Sequence, residues 1–250
     1  MIHLIKKKVI NMCTVSYLPG QSGFILTSSR DERITRPAAK LSGPVIIHDH
    51  EVTFPKDPQG HGSWIASSKT RTVCLLNGAF TAHHPKPPYK HSRGLVVLHA
   101  FNYFTIQNFI SAYDFTGLEP FTLLLVEIGE LFVLRWDGSK LFATELNASQ
   151  PQIWSSATLY SPEIIKARQI WFRQWLNAPE DLSLESIRNF HKTAGAGDPE
   201  NAVLMQRGDQ YATVSLTSVV RSENRMEMTY EDLIHSKLTH QKLSHAYVSN

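Results

Sequence analysis

Apolar and β-branched positions gather first in two short runs, residues 14–18 and 24–27, separated by the turn cluster Pro19-Gly20-Gln21-Ser22-Gly23. Residues 45–48, 63–67 and 72–76 predict further strands. Pro and His crowd residues 79–91, which predicts an irregular surface loop. The apolar spacing then becomes helical over 93–103 and, more briefly, over 106–113. Residues 121–128 and 131–136 flank Gly129-Glu130 as a tight hairpin, and Asp137-Gly138 turns the chain into a strand at 141–146. Ser161-Pro162-Glu163 carries a helix start, with Ser at the N-cap and Pro at the first position. That helix should run to about Leu176 on a wide face holding Ile164, Ile165, Ala167, Arg168, Ile170, Trp171, Phe172 and Trp175. A further helix is expected at 183–191 and strands at 203–206 and 211–219; beyond Arg221 the chain is polar and predicts no element. There is no internal repeat and no linker that would separate domains. Strand-rich ends around a helical middle predict one α+β domain, with sheets packed under helices, over residues 12–250. Residues 1–11 add no packing pattern and are expected to be a non-native or removable extension.

Composition narrows the function classes. Of 250 residues, 42% are hydrophobic and 19% charged, enough to build a core and to exclude a disordered chain. Lys and Arg number 25 against 22 Asp and Glu, a net charge of +3 with no basic run interleaved with aromatics, so no nucleic-acid partner is expected. No apolar stretch approaches the roughly 18 residues of a membrane-spanning helix, and the apolar part of the N-terminus is too short for a signal peptide. Two cysteines, Cys13 and Cys74, leave a single bridge open, but a reducing, cytoplasmic setting is the simpler expectation. The 12 histidines include His48 and His50, which would share a face of a strand, and His83, His84 and His91 in the loop. No HExxH or zinc-type Cys pair accompanies them, so surface or loop histidines and no metal are expected. GxSxG, P-loop and GxGxxG patterns are also missing, and no cofactor is expected.

Cys13 carries the chemistry. It follows Met12 and opens the first strand. Were translation to start at Met12, methionine removal would leave Cys13 with a free α-amine. Such a residue holds nucleophile and base together, with reference pKa values of about 8.5 for the thiol and about 7.7–8.0 for the amine. An amide nitrogen cannot act as the base, because its lone pair is delocalised into the carbonyl. Retention of residues 1–12 would therefore disable the mechanism. The cluster Ser28-Ser29-Arg30-Asp31-Glu32 is either a charged surface turn or the place where Arg30 and Asp31 hold a thiolate–ammonium pair. Arg33 and Arg36-Pro37 follow and could anchor the loop or a substrate anion. Leu75-Leu76-Asn77-Gly78 ends a strand either in a simple Asn-Gly turn or with the Asn77 amide as an oxyanion donor.

Met12-Cys13-Thr14-Val15, Ser29-Arg30-Asp31-Glu32 and Arg36-Pro37 together resemble the N-terminal signature of the NRDE (Asn-Arg-Asp-Glu) family, which includes the transport and Golgi organisation protein 2-like proteins. The likeness continues through Gly62-Ser63-Trp64-Ile65, Leu76-Asn77-Gly78, Ser92-Arg93-Gly94, Trp154-Ser155-Ser156, His191-Lys192-Thr193-Ala194 and Asp198-Pro199-Glu200-Asn201, and spans Met12 to about Val219. It implies a four-layer αββα sandwich of two antiparallel sheets between helices, like the N-terminal-nucleophile (Ntn) hydrolases. It also implies a distant similarity to the cysteine amidases that cleave conjugated bile salts and penicillin V. On that pattern Cys13 is the nucleophile, with Arg30 and Asp31 beside it and Asn77 in the oxyanion hole. Arg36 would help to bind substrate, and Ser156 falls where those amidases carry another active-site Asn. Two departures stand out: Ser29 replaces the motif's first Asn, and no second active-site arginine is found near residues 211–213. The resemblance implies an amidohydrolase cleaving a small C–N amide. The alternative is a non-catalytic binding or trafficking protein for a hydrophobic ligand such as haem or an acyl lipid. The amidase reading expects Cys13, Arg30, Asp31 and Asn77 to line one cavity, and Cys13 to outreact Cys74.

Overall fold

The computed structural model describes residues 12–127, 129–177, 181–223 and 225–243. Strand β1 (Met12–Gly20) turns back onto β2 (Gly23–Arg33). Four short strands follow: β3 (Lys40–Leu41), β4 (Val45–Ile47), β5 (His50–Val52) and β6 (Pro55–Lys56). They form two small ribbons, β3 with β6 and β4 with β5. Strands β7 (Ile65–Ser67) and β8 (Arg71–Asn77) lead through an irregular loop to α1 (Arg93–His99), a 3-10 turn (Ala100–Asn102) and α2 (Ile106–Ala112). Next come β9 (Phe121–Glu127), β10 (Glu130–Trp136), β11 (Leu141–Leu146) and β12 (Gln152–Ser155). Helices α3 (Pro162–Leu176) and α4 (Leu184–Thr193) precede β13 (Gln206–Arg207), β14 (Tyr211–Arg221), β15 (Met226–Asp232) and β16 (Lys237–Lys242).

Two antiparallel sheets organise these elements. The larger runs β12-β1-β2-β14-β15-β16, with β13 paired to β14; the smaller runs β11-β10-β9-β8-β7. Alternation along each strand decides what each face meets. Val15, Tyr17, Leu26 and Val219 of the larger sheet share one core with Ile65, Leu76, Leu124 and Val133 of the smaller. The other face of the smaller sheet, through Val73 and Leu123, packs on Val96, Phe101 and Phe109 of the α1–α2 segment. On the larger sheet, Leu18 and Ile153 pack on Phe172 of α3 and on Ile187 and Phe190 of α4. Among the described residues the chain is thus a mixed α/β structure with antiparallel sheets and four α-helices. No helix among the described residues is long and apolar enough to cross a membrane.

Several boundaries differ from the sequence expectation. Strand β2 does not end at Thr27 but continues to Arg33: Ser28, Ser29, Arg30, Asp31 and Glu32 are all buried, and the side chains of Ser29, Arg30, Asp31 and Glu32 find partners inside the fold. The polar segment after Arg221 forms β15 and β16, an antiparallel pair closing the larger sheet. Residues 203–205 are not a strand; the short β13 follows them. Helix α1 gives way to 3-10 geometry after His99. His48 lies in the β4–β5 turn at φ 52°, so it does not share a strand with His50. On α3, the expected apolar face buries Arg168 together with Phe172, whereas Ile170 is 37% exposed. Residues 1–11 lie outside the described residues.

Candidate functional site

The β1–β2 hairpin places Cys13 directly across from Arg30, and Met12 across from Asp31. Asn77, the last residue of β8, reaches the same edge through Ser156, which follows β12. The Ser156 N–H donates to the Cys13 carbonyl at 3.0 Å, and its hydroxyl donates to the Asn77 carbonyl at 2.7 Å. One residue thereby ties the nucleophile strand of the larger sheet to the end of a strand in the smaller. Beyond Asn77 the chain turns through Gly78 at φ +81°, and the Gly78 N–H donates to the Pro120 carbonyl at 3.0 Å. On the opposite wall Gly62 lies against the start of α1, so close that a Cβ there would sit 2.2 Å from the Gly94 carbonyl carbon. The result is a small cavity of about 80 Å³ lined by Cys13, Arg30, Asp31, Arg36 and Asn77 among others. Ser156 does not line it; its bonds hold the backbone behind it.

Arg30 and Asp31 are neighbours on a strand and so point to opposite faces. The Arg30 guanidinium lies 4.1 Å above the Trp64 ring and bonds Asp57 at 3.3 Å. Arg36 bonds the same Asp57 oxygen at 2.6 Å and reaches Glu32 at 3.3 Å. Burial works to raise the Asp57 carboxyl, but the Arg36 hydrogen bond and the Arg30 charge outweigh it and hold the carboxyl below its ordinary range. Arg36 is thus engaged by two carboxylates within the wall. A third cavity-lining guanidinium, Arg93, donates to the Pro120 carbonyl at 3.0 Å and pairs with Glu119 at 3.1 Å.

On the helix-facing side, Asp31 accepts from Tyr160 at 2.9 Å and from Thr213 at 2.5 Å. Burial pushes its carboxyl up, opposed by the Arg168 charge and those two hydrogen bonds. The Arg168 guanidinium stacks 3.6 Å from the Tyr160 ring centroid, donates to the Thr14 hydroxyl, and caps the carbonyls of Asn201 and Ala202. Nearby, His191 stands between the hydroxyls of Ser16 and Ser29, at 2.7 Å from each. Burial, followed by the charges of Arg188 and Arg168, lowers its pKa to about 3, so the ring is neutral, one nitrogen donating and the other accepting. Ser29, where the family motif has Asn, is therefore a partner of His191.

Both thiols are buried. Burial pushes Cys13 well above the ordinary thiol range, Cys74 and Asp31 push the same way, and Arg30 only partly opposes them. Cys74 is pushed up to about 12, again chiefly by burial. The expected activation by Arg30 is thus outweighed while Cys13 is bonded to Met12. What separates the two thiols is access, since Cys13 lines the cavity and Cys74 does not. Among the described residues no group of three or more His, Cys, Asp or Glu is arranged to hold a metal.

Sequence reasoning missed Asp57, which no local pattern marks, and Arg168, which was assigned to an apolar helix face. Trp64 and Arg93 stood inside the motif segments Gly62-Ser63-Trp64-Ile65 and Ser92-Arg93-Gly94, but only the fold, through the loop before β7 and the start of α1, brings them to Cys13. A family model described as Transport and Golgi organisation 2 matches residues 12–236 of the chain. No curated protein matches it.

Proposed function

The chain belongs to the Transport and Golgi organisation 2 family, and from that premise we propose that it is an Ntn-type amidohydrolase acting on a small C–N amide through Cys13. The observation that carries this reading is the shared cavity of Cys13, Arg30, Asp31 and Asn77 at the open end of the strand ladder. The three cores stacked between helix pair, sheet, sheet and helix pair support the four-layer αββα arrangement of that fold class. The reaction needs residues 1–12 removed. The freed α-amine lies beside Asp31, which stands opposite Met12 in the ladder. It takes the thiol proton, and the thiolate attacks the amide carbon, forming the C–S bond. The Asn77 amide and nearby backbone donors hold the oxyanion. Collapse breaks the C–N bond as the ammonium returns its proton to the leaving amine. Water then attacks the thioester, releasing the acid and the free thiol.

A second reading, a carrier of a hydrophobic ligand, is favoured by a different place. A cavity of about 410 Å³ at the other end of the inter-sheet core is lined by Tyr17, Phe24, Val126 and Met226, whereas the Cys13 cavity is small and mostly polar. The test compares the full chain with one beginning at Cys13, using a panel of short-acyl p-nitroanilides. The amidase reading expects p-nitroaniline release only from the shortened chain, with Cys13→Ala inactive and Asn77→Ala slowed about 10²–10³-fold. N-terminal sequencing that finds Met1 or Ile2 intact in the native protein, or equal turnover by Cys13→Ala, would sink it.

A further inference from the structure

The last strand of a sheet leaves a row of backbone N–H and C=O groups without a neighbour, and natural sheets protect such edges. The ends of the two large sheets are β12, β16, β11 and β7, and all but β11 are protected. Strand β7 is short and buried, and beyond it Thr53 and Ser67 exchange N–H···O bonds of 2.9 and 3.0 Å. β12 has 4 residues, none of them exposed. β16 carries Lys237, His240 and Lys242 along its margin, the kind of charge that turns an incoming strand away. β11 has none of these devices. It runs for 6 residues without Pro, Lys or a bulge, and residues 142–145 are exposed. The Asp137 N–H donates to the Lys140 carbonyl at 3.2 Å, which sets the alternation along the hairpin. Phe142, Thr144 and Leu146 turn their N–H and C=O groups towards β10, whereas Leu141, Ala143 and Glu145 turn theirs outward. Among the described residues nothing takes those outward groups. Beside them Phe142, 37% exposed, meets Phe80, 53% exposed, at 5.0 Å with the rings perpendicular.

We propose that β11 is a docking edge for a second copy of this chain: it pairs antiparallel with β11 of that copy across a two-fold axis at Ala143, making one continuous sheet through both chains. The outward set is its own complement. With the axis at Ala143, Leu141 stands opposite Glu145 of the second copy and Ala143 opposite its own counterpart, so each outward N–H meets an outward C=O. Phe142 stands opposite Thr144 of the second copy and one diagonal step from the other Phe142, within reach of an aromatic ring. Lys140 falls opposite Leu146, so the register opposes no like charges. The inference does not depend on the amidase reading, since its test involves no hydrolysis. Sedimentation velocity of the full chain over rising concentration should show a reversible monomer–dimer equilibrium. Ala143→Lys sets two ammonium groups face to face at the axis and should weaken the dimer at least about tenfold. Ala143→Pro removes an N–H that the monomer does not use and should weaken it likewise. Should one of these variants misfold by circular dichroism, the other decides. Leu238→Lys, on the margin of β16, should leave the dimer intact. Amide-resolved hydrogen exchange reads the register. Exchange at Leu141, Ala143 and Glu145 should slow as the dimer fills, whereas Phe142, Thr144 and Leu146 stay protected at every concentration. A chain that remains monomeric, a dimer that survives a folded Ala143 variant, or one split by Leu238→Lys while the outward amides of β11 exchange freely, overturns the proposal.

Discussion

Arg71 and Arg168 are both fully buried, one in the smaller sheet and one in the helical layer over the larger. Each uses its fork to cap carbonyls that a helix or loop leaves unpaired. Arg71 donates to Ala100, Tyr103 and Phe104 beyond α1, and to the carboxylate of Glu127, its cross-strand partner, at 2.9 Å. Its charge is paired on the spot with Glu127 and, beyond that pair, is felt at His50 rather than at the candidate site. Arg168 donates to Asn201, Ala202 and Thr14 and stacks on Tyr160, all neutral groups. Its charge reaches past them to Asp31 and His191. One buried cation is local scaffolding; the other exports a field into the candidate site.

Replacing each by an apolar residue of similar length tests the contrast. Arg71→Met strands a carboxylate and three carbonyls and should lower stability by about 3–5 kcal/mol in urea unfolding, while leaving Asp31 and His191 titrating as before. Arg168→Met abandons only neutral partners, with a loss of about 2–3 kcal/mol. It should also raise the pKa of both Asp31 and His191, measured by carboxyl and imidazole NMR, because the positive field acts on each in the same direction. Unmoved titrations in Arg168→Met would erase the distinction between the two arginines.

The smallest expected effect concerns pH. His191 titrates near 3 in the fold against roughly 6.5 when unfolded, so the unfolded chain binds the extra proton first. Its stabilising contribution is complete above pH 6.5 and is lost progressively as pH falls towards 3. Between pH 6.5 and 5 the loss from this group is roughly 2 kcal/mol. His191→Gln should flatten that part of the stability–pH curve even though it weakens the fold at neutral pH. An unchanged slope would mean that the imidazole is not the group responsible.

The legible parts of the fold were those where local chemistry and tertiary burial agree. Helix α3 begins at Pro162 as its start signal predicts, and Ser183 caps α4 by accepting from the Ser186 N–H. Strands β9 and β10 announce themselves because both of their faces meet apolar side chains. The second half of β2 escaped notice because its buried side chains are polar and are satisfied by residues distant in sequence: Asp57, Tyr160, His191 and Thr213. Strands β15 and β16 were missed for another reason. A sheet margin with Lys237, Leu238 and His240 facing outward carries little hydrophobic period. For the candidate site, Cys13 and Asn77 could be picked out by residue type and by position at strand ends, and Arg30 and Asp31 by the charged cluster that holds them. The surrounding wall could not, since Asp57 and Trp64 arrive on loops whose paths no periodicity encodes, and Arg93, at the start of α1, is brought to Cys13 only by the fold.

The Ser156 bond to the Cys13 carbonyl bears on any maturation step. The pairing of Cys13 with Arg30, of Thr14 with Ser155 and Ser29, and the pinning of the Cys13 carbonyl all lie on the C-terminal side of the Met12–Cys13 peptide bond. Cutting that bond removes none of them. A trimmed chain would lose the Met12–Asp31 pair and the lysines at 6, 7 and 8, and would gain a titratable nitrogen at a strand end whose pairs from Cys13 onward stay in place. Activation would then be a change of charge at a strand end already held in place, which a probe of thiol reactivity would register directly.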